Sequence, residues 1–284
     1  MKQKNSSLQR NSPSRFSKKS ESGRPSRSPQ YGNRNNSKDA TIGKNQRWVV
    51  GNHAIIEALK VHPKKISRAF FQQGWESLYQ QKNIFDKVKS LGIKIEEKAK
   101  GFLDQIYSHH QGSALIVEGR PELKQDDQTQ FSQVLFLDGI EDPHNLGAIC
   151  RTAWLMGAHG IFIPEDRAVD LTPTVHKVAC GGVEHVPIIP ETQFKSRVES
   201  LKEQGYWVYG LSHKATKSVF DCKYPQKIAW MIGSEDKGLR TTSEKLCDEL
   251  VFIPQAAAEA SYNASVATAM ALFEGYRQQN YASS

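Results

Sequence analysis

Asn145 and Arg151 lie six residues apart, just after an Asp142-Pro143 pair. That pair suits the start of a helix, because a carboxylate caps free backbone N–H groups and proline fits the first turn. Helix initiation explains Asp142 and Pro143 but leaves Asn145 and Arg151 over. At a helix start, exposed N–H groups favour a phosphate, and an arginine there can fork onto it. Two further loops gather glycine and polar residues. The stretch 231–239 reads Met-Ile-Gly-Ser-Glu-Asp-Lys-Gly-Leu; Gly233 and Gly238 can take positive φ or admit a close backbone, as either a ligand cradle or an ordinary tight turn requires. It is neither a Walker A loop nor GxGxxG, and Glu235 argues against a nucleoside triphosphate. The stretch 252–265 passes Ile253, Ser261, Tyr262 and Asn263 into an alanine-rich helix. Ser261 or Asn263 acting as an N-cap accounts for this stretch equally well without any function. Small residues over 264–271 permit close helix approach, and that face is expected to pack against a partner subunit.

The elements that would position these loops alternate. Strands are expected at 134–137, 160–163, 186–189, 207–211, 229–232 and 250–253. Helices are expected at 145–156, 174–180, 194–204, 240–246 and 263–277. Such alternation specifies an α/β fold with a mostly parallel sheet covered on both faces, and ligands bind such sheets at the C-terminal strand ends. Upstream, a smaller α/β unit is expected, with strands at 66–72, 93–95 and 114–117 and helices at 54–59, 77–91 and 101–107. A polar run, Gln-Asp-Asp-Gln-Thr-Gln at 125–130, reads as linker. The expected organisation is a tail over 1–45, a small domain over 46–121, a linker over 122–132 and a larger domain over 133–284.

Charge is unevenly spread over the 284 residues. Residues 1–45 carry eleven Lys and Arg against Glu21 and Asp39, a surplus of nine in a net charge of +8, so the remainder sums to about −1. A basic segment poor in large aliphatic residues is expected to be disordered. It reads as an arm for polyanions or, more blandly, as a solubilising tail. Cys150, Cys180, Cys222 and Cys247 are too far apart for a CxxC pair and too few for a disulfide scaffold, which suggests a reducing, cytoplasmic setting. No apolar stretch is long enough to span a membrane.

Taken together and in this order, DPHNLGAICRTAWLMGAHGIFI, IGSEDKGL and IPQAAAEASYNASVA closely resemble the three signature motifs of the SpoU, or TrmH-like, RNA 2′-O-ribose methyltransferases of the SPOUT class. Residues 48–120, opening on Val-Gly-Asn-His-Ala-Ile-Ile-Glu-Ala-Leu and closing on His-Gln-Gly before an apolar strand, resemble the L30e-like substrate-binding domain of the 23S rRNA guanosine branch of that family. The resemblance implies a parallel sheet with a deep trefoil knot and a homodimer. It implies S-adenosylmethionine held by backbone groups around Gly233, Ile253 and Tyr262, with Leu211 near the adenine. It implies no metal. It also assigns catalytic roles to Asn145, Arg151, Glu235 and Asn263. A guanidinium is too basic to take a proton, so Arg151 is expected to stabilise a developing alkoxide while water or a substrate phosphate accepts the proton.

Two positions depart from the family pattern. The usual Ile-Pro-Met followed two residues on by Gly becomes Ile253-Pro254-Gln255-Ala256-Ala257, and the usual Ser-Leu-Asn becomes Ser261-Tyr262-Asn263. Alanine reaches positive φ less readily than glycine, so the cofactor loop is expected to take a different shape. The expected partner is structured RNA, 23S rRNA before tRNA. The competing reading is a non-catalytic RNA-binding or ribosome-assembly factor that keeps the fold.

Overall fold

The strand Ser132–Asp138 (β5) is buried along its whole length, as a parallel strand covered on both faces must be. It belongs to a seven-stranded sheet in a computed structural model that describes residues 41–122, 132–167, 170–257 and 260–281. The expected disorder of the tail falls almost entirely outside these residues, as does most of the expected linker. The other strands of this sheet are Ala158–Pro164 (β6), Ile188–Glu191 (β7), Trp207–Leu211 (β8), Lys217–Ser218 (β9), Lys227–Gly233 (β10) and Glu249–Phe252 (β11). Their order is β7-β6-β5-β10-β8-β11-β9, and all the pairings are parallel. The chain winds outward from β5 through β6 to β7, then crosses over to build the other half of the sheet. A parallel sheet offers its ligand crevice where the winding reverses, here at the ends of β5, β10 and β8.

Ahead of it, Gln46–Val50 (β1), Ile66–Gln72 (β2), Lys94–Lys98 (β3) and Ser113–Glu118 (β4) form a four-stranded sheet in the order β1-β4-β2-β3. This sheet is mixed: only β2 and β3 run parallel. Helices Asn52–Val61 (α1), Tyr79–Ser90 (α2) and Lys100–Ile106 (α3) accompany it. Leu115 and Val117 pack on one face with Ile55 and Ile84, while Ala114 and Ile116 pack on the other with Trp48 and Leu103.

Around the larger sheet run Pro143–Leu155 (α4), Pro173–Ala179 (α5), Gly182–His185 (α6), Phe194–Glu203 (α7), Thr241–Glu244 (α8) and Ala264–Tyr281 (α9). Three expectations need correction. The helix expected over 240–246 is only a four-residue turn, after which Leu246 and Cys247 close i→i+3 bonds onto Ser243 and Glu244. The short helix α6 occupies residues just before β7, which starts at Ile188 rather than 186. Finally, the small-residue face of α9 turns inward within its own chain. Ala264, Thr268, Ala271 and Gly275 are buried, and a Cβ on Gly275 would come within 2.5 Å of Gln133 Oε1.

The described residues form one compact unit, in which β1 packs against α5 and α1 against α6. The seam is polar. Arg47 of β1 grips Glu184 of α6 with two bonds of 2.6 and 2.7 Å, and both side chains are buried. His62 Nε2 donates to the Glu184 carbonyl at 3.1 Å, and the His176 ring lies 3.4 Å from its carboxylate. Burial alone would raise the Glu184 pKa, but His176 and the Arg47 fork more than reverse this and hold it at about 2. Beside this pair, His185 meets Glu57 at 2.9 Å and stacks on Trp154. Removing one partner of a buried pair strands the other's charge. Arg47→Ala should therefore cost about 3–5 kcal/mol of stability in urea unfolding, a loss that Arg47→Met combined with Glu184→Leu should largely recover.

Candidate active site

Each motif loop leaves the end of a parallel strand, and one carboxylate gathers all three. Asp142 caps α4 by accepting from His144 N at 2.9 Å, and Pro143 opens the first turn. This sets Asn145 near the mouth of β5, where its Nδ2 donates to Glu235 Oε1 at 3.1 Å. Glu235 sits just beyond β10. Asn263, at the head of α9, donates from Nδ2 both to Glu235 Oε1 and, at 3.0 Å, to Asn145 Oδ1. The Ala264 N–H adds a third donor to the same carboxylate oxygen at 3.1 Å. Asn263 also caps α9, since its Oδ1 accepts from Ser265 N at 2.9 Å. The capping role and the bonding to Glu235 are thus carried by opposite ends of one amide.

The loop after β10 folds on itself. Ser234 and Gly238 exchange backbone bonds of 3.2 and 2.9 Å, with Gly238 at φ +66°. Gly233 has to be glycine, because a Cβ there would lie 2.1 Å from the Gly238 carbonyl carbon. Arg240 pins the far end of the loop to buried Asp138 at the end of β5, through its N–H at 3.1 Å and its guanidinium at 3.2 Å. The two departures in the last loop prove mutually consistent. Gln255 Nε2 donates to the carbonyls of Ala257 and Ala260 at 2.9 and 2.7 Å, and Tyr262 Oη donates to the Pro254 carbonyl at 3.1 Å. Ala257 does not take positive φ; side-chain bonds close the turn in its place.

Between these loops and the one after β8 lies a cavity of about 560 Å³. Leu211, Gly233, Ile253 and Tyr262 all line it, as does Glu235. Asn145, Arg151 and Asn263 do not. Asn145 and Asn263 brace Glu235 from behind, whereas Arg151 points elsewhere: its guanidinium is exposed, and Nη1 meets Cys180 Sγ at 3.7 Å. Six residues on a helix turn a side chain through about 240°, so the two polar residues of the first motif cannot share a face. Sequence reasoning missed Ser212, Lys214 and Glu244 in the cavity wall, as well as Arg240, and gave no role to Lys237 within the loop it singled out. The first three carry no spacing signal, and the Arg240 bond to Asp138 spans 102 residues.

The sequence profile of the SpoU rRNA methylase family matches residues 132–273, and that of the RNA 2′-O ribose methyltransferase substrate-binding domain matches residues 48–123. The chain is also 35% identical over 244 residues to the 23S rRNA (guanosine-2′-O-)-methyltransferase RlmB of Shewanella oneidensis, covering 83% of this chain and 99% of that one. It belongs to the SpoU family of RNA 2′-O-ribose methyltransferases. Another member, the Bacillus subtilis protein YacO, assigned to the TrmH family of tRNA/rRNA methyltransferases, is 36% identical over 241 residues, which are 82% of this chain and 96% of YacO. Among solved structures, the SpoU methyltransferase AviRb of Streptomyces viridochromogenes in complex with AdoMet superposes with a TM-score of 0.72 at 25% identity. That match covers 88% of this chain and 95% of AviRb.

S-adenosylmethionine is the cofactor of this family, and the cavity fits it in size and chemistry. Leu211, Ile232, Leu239 and Ile253 give apolar walls, Glu235, Asp236 and Glu244 complement its cationic centres, and Lys214 and Lys237 complement its carboxylate. Tyr262→Phe removes only the tether to Pro254. Isothermal titration with S-adenosylmethionine should show about two- to tenfold weaker binding, with an unchanged melting temperature.

Proposed function

We propose that this protein methylates the 2′-hydroxyl of a guanosine in 23S rRNA, with residues 46–121 as the substrate-binding domain and residues 133–284 as the methyltransferase domain. The cavity braced by Glu235 at the reversal of a parallel sheet carries the reading. The identity of the RNA rests on the Shewanella relative, which the chain matches over nearly that protein's whole length. S-adenosylmethionine supplies a methyl group already activated by its sulfonium. The protein's work is therefore to position and to balance charge. Glu235 shapes the cavity mouth with Asn145 and Asn263. Because Arg151 points away from its own chain's cavity, we assign it to a ribose reacting at the cavity of a second copy of the chain, where it stabilises the alkoxide that develops as the ribose oxygen attacks. Its exposed guanidinium has only a thiol beside it among the described residues, so it is available to an anion. Formation of the O–CH3 bond would be matched by cleavage of the methyl–sulfur bond, with S-adenosylhomocysteine leaving, and the hydroxyl proton passes to water or to a substrate phosphate, because Arg151 cannot accept it.

We further read the protein as a cytoplasmic homodimer whose last two motif loops form a trefoil knot. Four free thiols fit a reducing compartment. No helix among the described residues is long and apolar enough to cross a membrane. Helix α9 leaves Val266, Met270 and Phe273 exposed at helical spacing, and Leu155 is exposed on α4, the helix against which α9 packs. A stripe of this kind suits a second copy of the chain. Sedimentation equilibrium should return twice the chain mass, and Phe273→Asp should shift it toward the monomer.

Labelled S-adenosylmethionine should transfer methyl to a 2′-oxygen of unmodified 23S rRNA. Label confined to tRNA would move the substrate, while no label and no cofactor binding would leave only an RNA-binding factor. Arg151→Ala should slow transfer by about 10²–10³-fold while cofactor affinity stays within about twofold. A loss of cofactor binding in that variant would show that the role assigned to Arg151 is wrong.

A further inference from the structure

A second cation sits on the helix turn that carries the cysteine touched by Arg151, with no carboxylate partner among the described residues. Lys177 lies on α5, one turn before Cys180, whose sulfur touches Arg151 and also bonds the Lys177 carbonyl at 3.5 Å. Its stem runs along Gly51 at the head of α1, where a Cβ would come within 2.6 Å of Lys177 Cδ. The ammonium ends on Gln111 Oε1 of the four-stranded half. Burial draws the Lys177 pKa down, so this cation lacks the compensation an anion would provide.

Gln111 is itself unusual. It holds φ at +61°, one of two positive values among the described non-glycine residues. The surroundings enforce this: Gly112 N donates to the ring of buried His110 at 2.9 Å, and Gln81 Nε2 holds the Gln111 carbonyl at 2.7 Å. Backbone strain of this kind persists where the scaffold over-determines it, and it often marks a functional position. The Gln111 side chain is presented outward, with Oε1 taken by Lys177 and by Asn52 N at 3.2 Å. No bond in the described structure uses its Nε2 donors.

We propose that Lys177 and Gln111 Nε2 form a phosphodiester-binding subsite that fixes the RNA strand where it passes from the four-stranded half toward Arg151. The inference rests on the methyltransferase reading above and adds to it where one backbone phosphate is held. Lys177 supplies the charge, the Gln111 amide supplies a directed donor, and the Cys180 turn sets their spacing from Arg151. A mere tether between the two halves would use the same Lys177–Gln111 bond, but it would contribute to stability and not to the salt dependence of RNA binding.

The test uses the full chain and an unmodified 23S rRNA transcript. Lys177→Gln should raise KM for the transcript about fivefold or more and make log Kobs against log[salt] less steep by about one, with S-adenosylmethionine affinity unchanged. Lys177→Arg should keep the wild-type slope. Gln111→Glu, which keeps an oxygen for Lys177 and Asn52 N but loses the Nε2 donors, should weaken RNA binding without lowering the melting temperature. Normal wild-type methylation with an unchanged salt slope in Lys177→Gln would overturn the subsite alone. Failure of the wild-type chain to bind and methylate the transcript would instead remove the substrate reading, and the subsite with it.

Discussion

Three donors from two distant segments converge on one oxygen of Glu235: the Asn145 and Asn263 amides and the Ala264 N–H. A carboxylate accepts several such bonds well, and each is stronger for its charge. This convergence joins the loop after β5, the loop after β10 and the head of α9 into one wall. The cavity exists because that wall stands. Gly233 lets the backbone of Gly238 and Leu239 pass close by, and Arg240 closes the same loop onto Asp138. Neither feature would hold the cavity open unless the head of α9 were also fixed. Glu235 is thus as much a structural keystone as a polar group facing a ligand.

Much of this was legible in the residues. The strands at 66–72 and 207–211 have the expected bounds, because apolar and aromatic runs flanked by breaks leave little freedom. The cavity-lining positions Leu211, Gly233, Ile253 and Tyr262 came from the family resemblance, and spacing alone left a ligand cradle and a tight turn equally open. What stayed hidden depends on partners remote in sequence. Arg47 and Glu184 are 137 residues apart, and no local pattern announces their bond. Gly182 opens α6 and must be glycine because a Cβ there would lie 2.5 Å from the Cys150 carbonyl oxygen, an approach that depends on a segment about thirty residues away. The small-residue face of α9 was expected to meet another subunit. It meets Gln133 and the sheet instead, because close approach serves a buried helix as well as an interface.

Gln255 and Tyr262 show how a motif can change without its purpose changing. Where the motif pattern it resembles has a glycine, this chain closes the loop with side-chain bonds to Pro254, Ala257 and Ala260. Covalent freedom at one residue is replaced by hydrogen bonds from two others. The resulting loop still lines the cavity.

The strand order also has a consequence for synthesis. β5 lies between β6, made soon after it, and β10, which pairs residue 227 with residue 132. Contacts so distant in the chain form slowly and late. During translation, β5 to β7 can assemble while the edge meant for β10 stays bare, and Glu235 gains its last donors only when residues 263 and 264 emerge. Until then the cavity lacks one of its walls. The active site is therefore among the last parts of the protein to come into being, and a partly made chain can hold neither cofactor nor reacting ribose in place.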